Sequence, residues 1–209
     1  MIPATHQKPL QHSLRLLFLH SLDREKQRFS VGDIIPAGTL AIFDEVTRKV
    51  QIVKTAKVKA IGTKDKKVIT LYSNGYCSPC FSVGDKLLQA KSVSGTFEDA
   101  PSIVSIEKPG VSNAPYVITL SAEISGLAVD DVLVEVVESS TNAAVIGEPN
   151  SLTIEEVTVK EFETAIDVTE DTMQYAVMER RVLPIPDSMK DSTKRYLKAN
   201  SHIRLSQTY

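Results

Sequence analysis

Tryptophan is absent from this chain, other aromatic residues are few, and neither sign of charge is in excess. Aromatic residues make up 6% of the sequence, and 24 lysines and arginines face 26 aspartates and glutamates. Binding to nucleic acid depends on a positively charged surface, and proteins that hold single strands also stack the bases on aromatic rings. We therefore expect no nucleic acid among the partners of this protein.

Cysteine is scarce, and long apolar runs are missing. Two cysteines among 209 residues exclude a scaffold built on disulfides. The most apolar candidate, residues 14–19, is interrupted by Arg15 and is much shorter than the roughly 20 residues of a membrane helix. No small-residue cleavage site follows it, so a secretory signal is not indicated. We expect a soluble protein with no membrane partner.

The sequence motifs of common enzyme classes are also missing. The nine glycines form no phosphate-binding loop, and neither a nucleophile elbow nor a His-Glu-x-x-His helix is present. Carboxylates are plentiful but fall in turn-like pairs such as Asp44-Glu45 and Glu98-Asp99, and three of the four histidines lie within the first 20 residues. We therefore predict a protein that is not an enzyme, with no catalytic residue, no metal ligand and no cofactor.

Cys77-Ser78-Pro79-Cys80 is the one motif that suggests cysteine chemistry. A redox pair requires a thiolate at a helix N-terminus, but Asn74-Gly75 and the segment 81–85 give the motif a loop and strand context. A structural zinc ion requires four ligands, and the motif supplies two. An ordinary turn is the favoured interpretation, while a local disulfide and a metal or redox site stay open.

Short runs rich in valine, isoleucine and threonine alternate with turn residues from residue 29 onward. In residues 56–60 small apolar residues alternate with lysine, as on a half-buried strand, and Pro36-Ala37-Gly38-Thr39 has the composition of a turn. This pattern predicts a mainly β protein with a sandwich or barrel-like body. The predicted strands cover residues 40–43, 50–54, 56–60, 68–72, 103–106, 116–122, 132–137 and 157–159.

The chain divides into an N-terminal arm and first element (1–28), a β-rich body (29–150) and a C-terminal region (151–209). The arm covers residues 1–11. The alternation of Leu14, Leu16 and Phe18 fits a strand, while the spacing of Leu10, Leu14 and Leu17 also fits a helix.

A short sequence echo lies inside the body. Phe29-Ser30-Val31-Gly32-Asp33 recurs as Phe81-Ser82-Val83-Gly84-Asp85, and more loosely as Leu127-Ala128-Val129-Asp130-Asp131. The favoured interpretation is three similar turns, each of which leads into a strand. The alternative is a duplicated β unit, with copies at 29–80 and 81–150.

The C-terminal region is first acidic and then basic, and we interpret both parts as solvated faces; docking on neighbouring subunits is the alternative. Pro184 and Pro186 predict an extended segment, after which Asp187 or Ser188 caps a short helix through Leu197 and a last strand follows. We expect 184–209, rather than 1–11, to dock against another chain. The alternative is that it folds back on its own body. The candidate interchain anchor residues are Met189, Tyr196, Leu197, Ile203 and Leu205.

The segment 31–44, Val-Gly-Asp-Ile-Ile-Pro-Ala-Gly-Thr-Leu-Ala-Ile-Phe-Asp, resembles the opening of tailed-bacteriophage head decoration and head-fibre proteins. The resemblance continues at 124–135, at 182–186 and at 203–205. The cysteine pair and the acidic-then-basic region have no place in that pattern.

The resemblance implies a structural protein of a virion or prophage, made in the bacterial host cytoplasm, with a β-rich body and no active site. Its partners would be the major capsid protein or other virion subunits. The resemblance also implies a homo-oligomer, and we expect a trimer because decoration proteins often sit at local three-fold positions. The alternative is a carbohydrate-binding module or an unrecognised hydrolase on a β-sandwich, which a cleft with paired carboxylates or stacked aromatic rings would favour.

Overall fold

The computed structural model of the protein describes residues 20–25, 27–74, 76, 78–108, 115–169 and 174–207. The predicted N-terminal arm 1–11, the ambiguous segment 10–18 and Cys77 lie outside the described residues.

Short strands dominate the described part of the chain, which confirms the predicted mainly β, sandwich-like body. Each predicted strand coincides with an observed one to within a few residues. In chain order the strands are β1 (His20–Leu22), β2 (Ile34–Ile35), β3 (Leu40–Asp44), β4 (Lys49–Ile52), β5 (Thr55–Ile61), β6 (Val68–Leu71), β7 (Lys86–Gln89), β8 (Ile103–Glu107), β9 (Tyr116–Leu120), β10 (Val132–Ser139), β11 (Asn142–Val145), β12 (Ser151–Leu152), β13 (Val157–Thr158), β14 (Ala165–Ile166), β15 (Tyr175–Met178) and β16 (Ile203–Ser206).

Strand β5 shows how the alternation in the sequence becomes a half-buried sheet. Val58 is buried, and its neighbours Lys57 and Lys59 are partly or fully exposed, because successive side chains of a strand point to opposite faces. The pairing register with β6 shifts between Val58 and Ala60. This irregularity turns Ala60 outward, although strict alternation would bury it.

Strand β10 is the centre of the larger of two principal sheets. That sheet has the order β11-β10-β5-β6-β9-β8, and β7 also pairs with β10. The smaller sheet has the order β12-β3-β4-β1-β14, and β2–β13 and β15–β16 form two-stranded pairs. The chain passes from the smaller to the larger sheet between β4 and β5, so Val53 and Lys54 join the two sheets.

The sheets do not follow the boundaries expected at 28/29, 80/81 and 150/151. The smaller sheet takes β1 from the first predicted segment, β3 and β4 from the body, and β12 and β14 from the C-terminal region. The larger sheet combines β5 and β6 with β7 to β11, and so joins the two halves of the predicted body. Long-range pairing therefore ties all three predicted regions together.

The sequence echo corresponds to three turns with the same hydrogen bonds. In each turn the backbone N–H of the last aspartate donates to the carbonyl three residues earlier, and its carboxylate accepts the N–H of that earlier residue. The third position has a positive φ of 89°, 91° or 72°, at Gly32, Gly84 and Asp130. We number these turns in chain order: the first is 30–33, the second 82–85 and the third 128–131.

A buried aliphatic residue holds each turn in place. The N–H of the third turn residue donates to the carbonyl of Val159, Ile103 or Val58, and the N–H of the same aliphatic residue donates to the carbonyl of the turn aspartate. This agrees with three similar turns at strand entries. The strands that follow enter different sheets, since β2 pairs with β13 while β7 and β10 lie in the larger sheet.

The C-terminal region packs against its own chain, as the alternative to the expected interchain anchor requires, and docking on another chain stays a prediction. Leu40, Val53 and Val134 of the body form one core cluster with this region, which includes Leu152. The region contributes Val177, Val182, Ile185, Met189, Leu197, Ile203 and Leu205, while Tyr196 is half-buried. The apolar surface that motivated docking on another chain is thus already covered within the monomer.

The predicted short helix is corrected. Asp187–Met189 forms a single 3-10 turn, and no helix continues from it through the described residues to Leu197. The Asp191 carboxylate accepts hydrogen bonds from the backbone N–H groups of Thr193, Arg195 and Tyr196. These bonds give the backbone an alternative to helical hydrogen bonding, and with the Thr193 hydroxyl they lower the pKa of Asp191 to about 2.

Three lysines of the C-terminal region form ion pairs within the chain. Lys190 Nζ lies 2.6 Å from Glu179 Oε2, and Lys194 Nζ lies 2.5 Å from Asp187 Oδ2. Lys198 pairs with Glu148 of the body. Except for Lys190, these lysines are largely exposed, as expected for solvated faces.

Candidate functional site

Lys54 is fully buried where the chain passes between the two principal sheets, and it is the centre of the candidate site. Its Nζ donates to the Arg28 carbonyl at 2.6 Å and to Asp85 Oδ2 at 2.7 Å, and it lies 3.4 Å from Glu135 Oε1. The Phe29 ring centroid lies 4.2 Å from Nζ, a favourable distance for a cation–π contact. We call Lys54, Asp85 and Glu135 the buried charge cluster.

The second turn of the echo positions Asp85. The turn directs the carboxylate back toward the start of the turn, where Oδ2 accepts the Ser82 N–H at 2.8 Å. The other oxygen, Oδ1, is buried and has no hydrogen-bond partner among the described residues. A buried charged oxygen without a donor is costly, since its lost hydration is not replaced. Asp85 is therefore strongly bonded on one side and unsatisfied on the other.

Glu135 lies in the middle of β10, between the residues that pair with β5 and those that pair with β11. Its N–H donates to the Lys54 carbonyl at 3.0 Å, which fixes the strand beside the lysine. The amide of Gln27 donates to Glu135 Oε2 at 2.7 Å, and Gln27 also bonds the backbone of Ile52 in both directions. Gln27 thus orients the glutamate from the side of the smaller sheet.

Burial and mutual charge set the protonation of the cluster. Burial, together with the Asp85 carboxylate, raises the pKa of Glu135 to about 7 against the opposing effect of Lys54. Burial opposes the ammonium form of Lys54, but the carboxylates of Glu135 and Asp85 outweigh it and raise the lysine pKa. Near neutral pH, Glu135 therefore exchanges a proton readily beside a charged lysine.

The cluster touches solvent only at one edge among the described residues. The side chains of Lys54 and Asp85 have no exposed surface, and that of Glu135 is 6% exposed. Asp85 and Glu135 line a cleft of about 660 Å³ together with Arg24 and Lys86. Glu135 is therefore the member of the cluster that retains some solvent-exposed surface.

A second ion pair lies beside the cluster. Lys108 Nζ is 2.9 Å from Asp33 Oδ1, and Asp33 Oδ2 accepts the Ser30 N–H. Burial acts to raise the pKa of Asp33, but the Lys108 ammonium and the hydrogen bonds outweigh it and lower the pKa. Asp33 and Lys108 border a second cleft of about 320 Å³, together with Tyr76 and Tyr116.

Cys80 is a buried free thiol beside this second cleft. Burial raises its pKa to about 12, so the thiolate that would attack a substrate or bind a metal is not formed near neutral pH. Among the described residues no group of histidine, cysteine and carboxylate side chains could hold a metal ion. Cys77 lies outside these residues, so the disulfide alternative stays a prediction.

Sequence reasoning did not identify the buried charge cluster, although two of its members carried a signal. Glu135 interrupts the apolar run Val132-Leu133-Val134 and Val136-Val137, where a charge on a buried strand needs a partner. Asp85 ends a copy of the sequence echo. Nothing in the sequence distinguished Lys54 as a buried charge, because its neighbours Val53 and Thr55 resemble those of other strand lysines.

No protein-family model, curated protein or solved structure matches the chain. Within the described ranges, no helix has the length and apolar character needed to cross a membrane.

Proposed function

We propose that this chain is a structural protein of a tailed-bacteriophage virion or prophage that binds the capsid surface. The observation that carries the proposal is the internal use of its chemistry-bearing groups. Lys54, Asp85 and Glu135 bond one another between the two sheets, and the lysine at their centre is inaccessible to an external substrate. A charge cluster whose members bond one another holds the two sheets together and does not act on a substrate. The resemblance at 31–44 supports the same assignment.

Exposed apolar side chains at turn tips supply contacts for capsid subunits. Val31, Val83 and Val129 occupy the same position in the three equivalent turns and are 62%, 56% and 52% exposed. A partner subunit that covers them gains the free energy of removing apolar surface from water. Coat subunits, and further copies of this chain in a trimer, are the proposed partners.

Co-expression with the coat protein encoded beside its gene tests this function. The chain is expected to sediment with assembled shells, and light scattering of the free protein is expected to give a trimer. A variant with Val31, Val83 and Val129 changed to serine should remain folded and lose shell binding, while Val46→Ser, at an exposed position outside these turns, should not. Failure of the unmodified chain to sediment with shells would contradict the proposal.

The second cleft favours one alternative, a carbohydrate-binding module. Tyr76 is 65% exposed beside this cleft, and sugar rings commonly stack on an exposed aromatic ring, here one with the Arg181 guanidinium 5.0 Å from its centroid. A hydrolase is less well supported. In the second cleft Lys108 holds the pKa of Asp33 low, whereas a general acid requires a raised one. In the larger cleft Glu135 has a raised pKa, but its side chain is only 6% exposed and is bonded to Gln27 and Lys54. Binding on a glycan array that Tyr76→Ala abolishes would favour this alternative over the capsid role.

A further inference from the structure

We propose that Lys54 and Asp85 become joined by an amide bond between Nζ and the carboxyl carbon, with Glu135 transferring the protons. The bond would lie within one chain and would covalently tie the segment between the two sheets to the turn that precedes β7. This cross-link is independent of the proposed capsid role.

The geometry brings the reacting groups into contact before any reaction. Lys54 Nζ lies 2.7 Å from Asp85 Oδ2, and both side chains are fully buried. Contact and fixed orientation of this kind convert a slow bimolecular condensation into an intramolecular one with a high effective concentration. Glu135 Oε1 lies 3.4 Å from the same nitrogen, within reach for proton transfer.

Asp85, rather than Glu135, is the carboxyl group that the geometry selects for attack. Its Oδ2 accepts the Ser82 N–H at 2.8 Å, and this donor stabilises the negative charge that develops on the oxygen in a tetrahedral intermediate. Glu135 is farther from Nζ, and Gln27 holds its other oxygen. The two carboxyl groups therefore have different roles.

The unsatisfied oxygen of Asp85 is explained by the same reaction. Within the described part of the chain Oδ1 is buried without a partner in the ion pair, and it is the oxygen that would leave as water. After the reaction, the amide N–H can donate to Glu135 Oε1. The Arg28 carbonyl loses the bond from Nζ but keeps the one that Ser82 Oγ already donates at 3.0 Å. Amide formation thus removes the unsatisfied atom and leaves these neighbours hydrogen-bonded.

The step balances without any other reactant. Glu135 accepts a proton from the Lys54 ammonium and passes it to Asp85 Oδ1, and the neutral Nζ attacks the carboxyl carbon. The C–N bond forms, a second proton follows the same route, and the carbon–Oδ1 bond breaks to release water. The charges of Lys54 and Asp85 disappear together, and Glu135 returns to its starting state. The raised pKa of Glu135 makes its carboxylate a better proton acceptor than an ordinary glutamate.

The surroundings favour condensation over hydrolysis. Phe29 packs on Nζ, and burial around Lys54 and Asp85 keeps bulk water from the bond. The released water can leave past Glu135 into the larger cleft, which Asp85 and Glu135 also line. In a site that excludes water, loss of one product molecule to solvent drives the reaction toward the amide.

Intact-mass measurement of the full chain under denaturing conditions tests the proposal. The folded protein is expected to be lighter than its sequence mass by one water molecule. A tryptic digest should yield a branched peptide that joins 50–57 to 68–86, with no cleavage after Lys54. A folded chain with the full sequence mass, or a water loss located elsewhere, would overturn the proposal.

Variants separate the chemistry from the fold. Lys54→Arg should have its full sequence mass, and Glu135→Gln should slow amide formation by about 10²–10⁴-fold while leaving the Lys54–Asp85 contact in place. Lys91 and Asp131, 2.6 Å apart, provide an internal control because the Lys91 side chain is 60% exposed to water, and their peptides should stay linear. Normal cross-linking in Glu135→Gln would remove the glutamate from the mechanism.

Discussion

Ser82 Oγ lies 3.1 Å from Asp33 Oδ2, so the second of the three equivalent turns contacts the first. This contact places Asp33 and Asp85, which occupy the same position in their turns, next to one another. Each aspartate has its own lysine, Lys108 for the first and Lys54 for the second. The lysines differ in burial, because Lys108 is largely exposed and Lys54 is not exposed at all. Two copies of one local structure thus give a surface ion pair and a buried charge cluster.

Turn glycines are expected to differ in their tolerance of alanine. Gly32→Ala should lower the free energy of unfolding by about 1 kcal/mol, because its φ of 89° strains an L-residue although the space around it is open. Gly38→Ala should cost about 1–3 kcal/mol more, since its Cβ would also overlap the Val182 side chain. Urea unfolding of both variants checks this order, and equal losses would contradict it.

The C-terminal strand is expected to stabilise its own chain. Ile203 is fully buried in β16, so Ile203→Ala should lower the free energy of unfolding by about 2–5 kcal/mol. Arg204→Ala, on the exposed side of the same strand, should change it by no more than about 0.5 kcal/mol. Urea unfolding measures both. A small effect of Ile203→Ala would instead favour a tail that detaches and docks elsewhere.

Local patterns predicted most of the strands, but not the contacts made between distant parts of the chain. Alternation in residues 56–60 and the turn at Pro36 identified β5 and β3, because period and turn chemistry are local properties. The prediction of a C-terminal helix was wrong because the Asp191 carboxylate accepts the backbone N–H groups that would otherwise form helical hydrogen bonds. Lys54 meets Glu135 across 81 residues, and no spacing in the sequence indicates that contact.

Cys80 is expected to be unreactive in the folded chain. Burial raises its thiol pKa to about 12, which leaves almost no thiolate at pH 8. In a Cys77→Ser variant, iodoacetamide should therefore modify Cys80 only after the protein is denatured. Mass spectrometry after brief labelling at pH 8 measures this, with denatured protein as the control for full labelling. Rapid labelling of the folded variant would show that the thiol is accessible.

Glu135 is expected to make stability depend on pH. Its pKa rises from 4.5 to about 7 on folding, so the folded chain binds more protons than the unfolded chain between these values. The stabilisation of the folded chain by protonated Glu135 is complete below about pH 4.5 and is lost as pH rises through 7. The free energy of unfolding of Glu135→Gln, relative to that of the wild type, should rise on the order of 2–3 kcal/mol between pH 4 and pH 8. Parallel stability profiles of the two proteins would show that Glu135 titrates normally.

The most direct test of the buried charge cluster as the structural centre of the fold is the unfolding free energy of Lys54→Met compared with Lys91→Met. Lys54→Met keeps the side-chain volume but leaves two buried carboxylates without their cation, and should cost at least about 3 kcal/mol at pH 7. Lys91→Met removes an exposed ion pair and should cost less than about 1 kcal/mol. An unfolded Lys54→Met chain beside a folded Lys91→Met chain would also be the predicted result. Equal stability of the two variants in urea unfolding followed by circular dichroism would contradict the account.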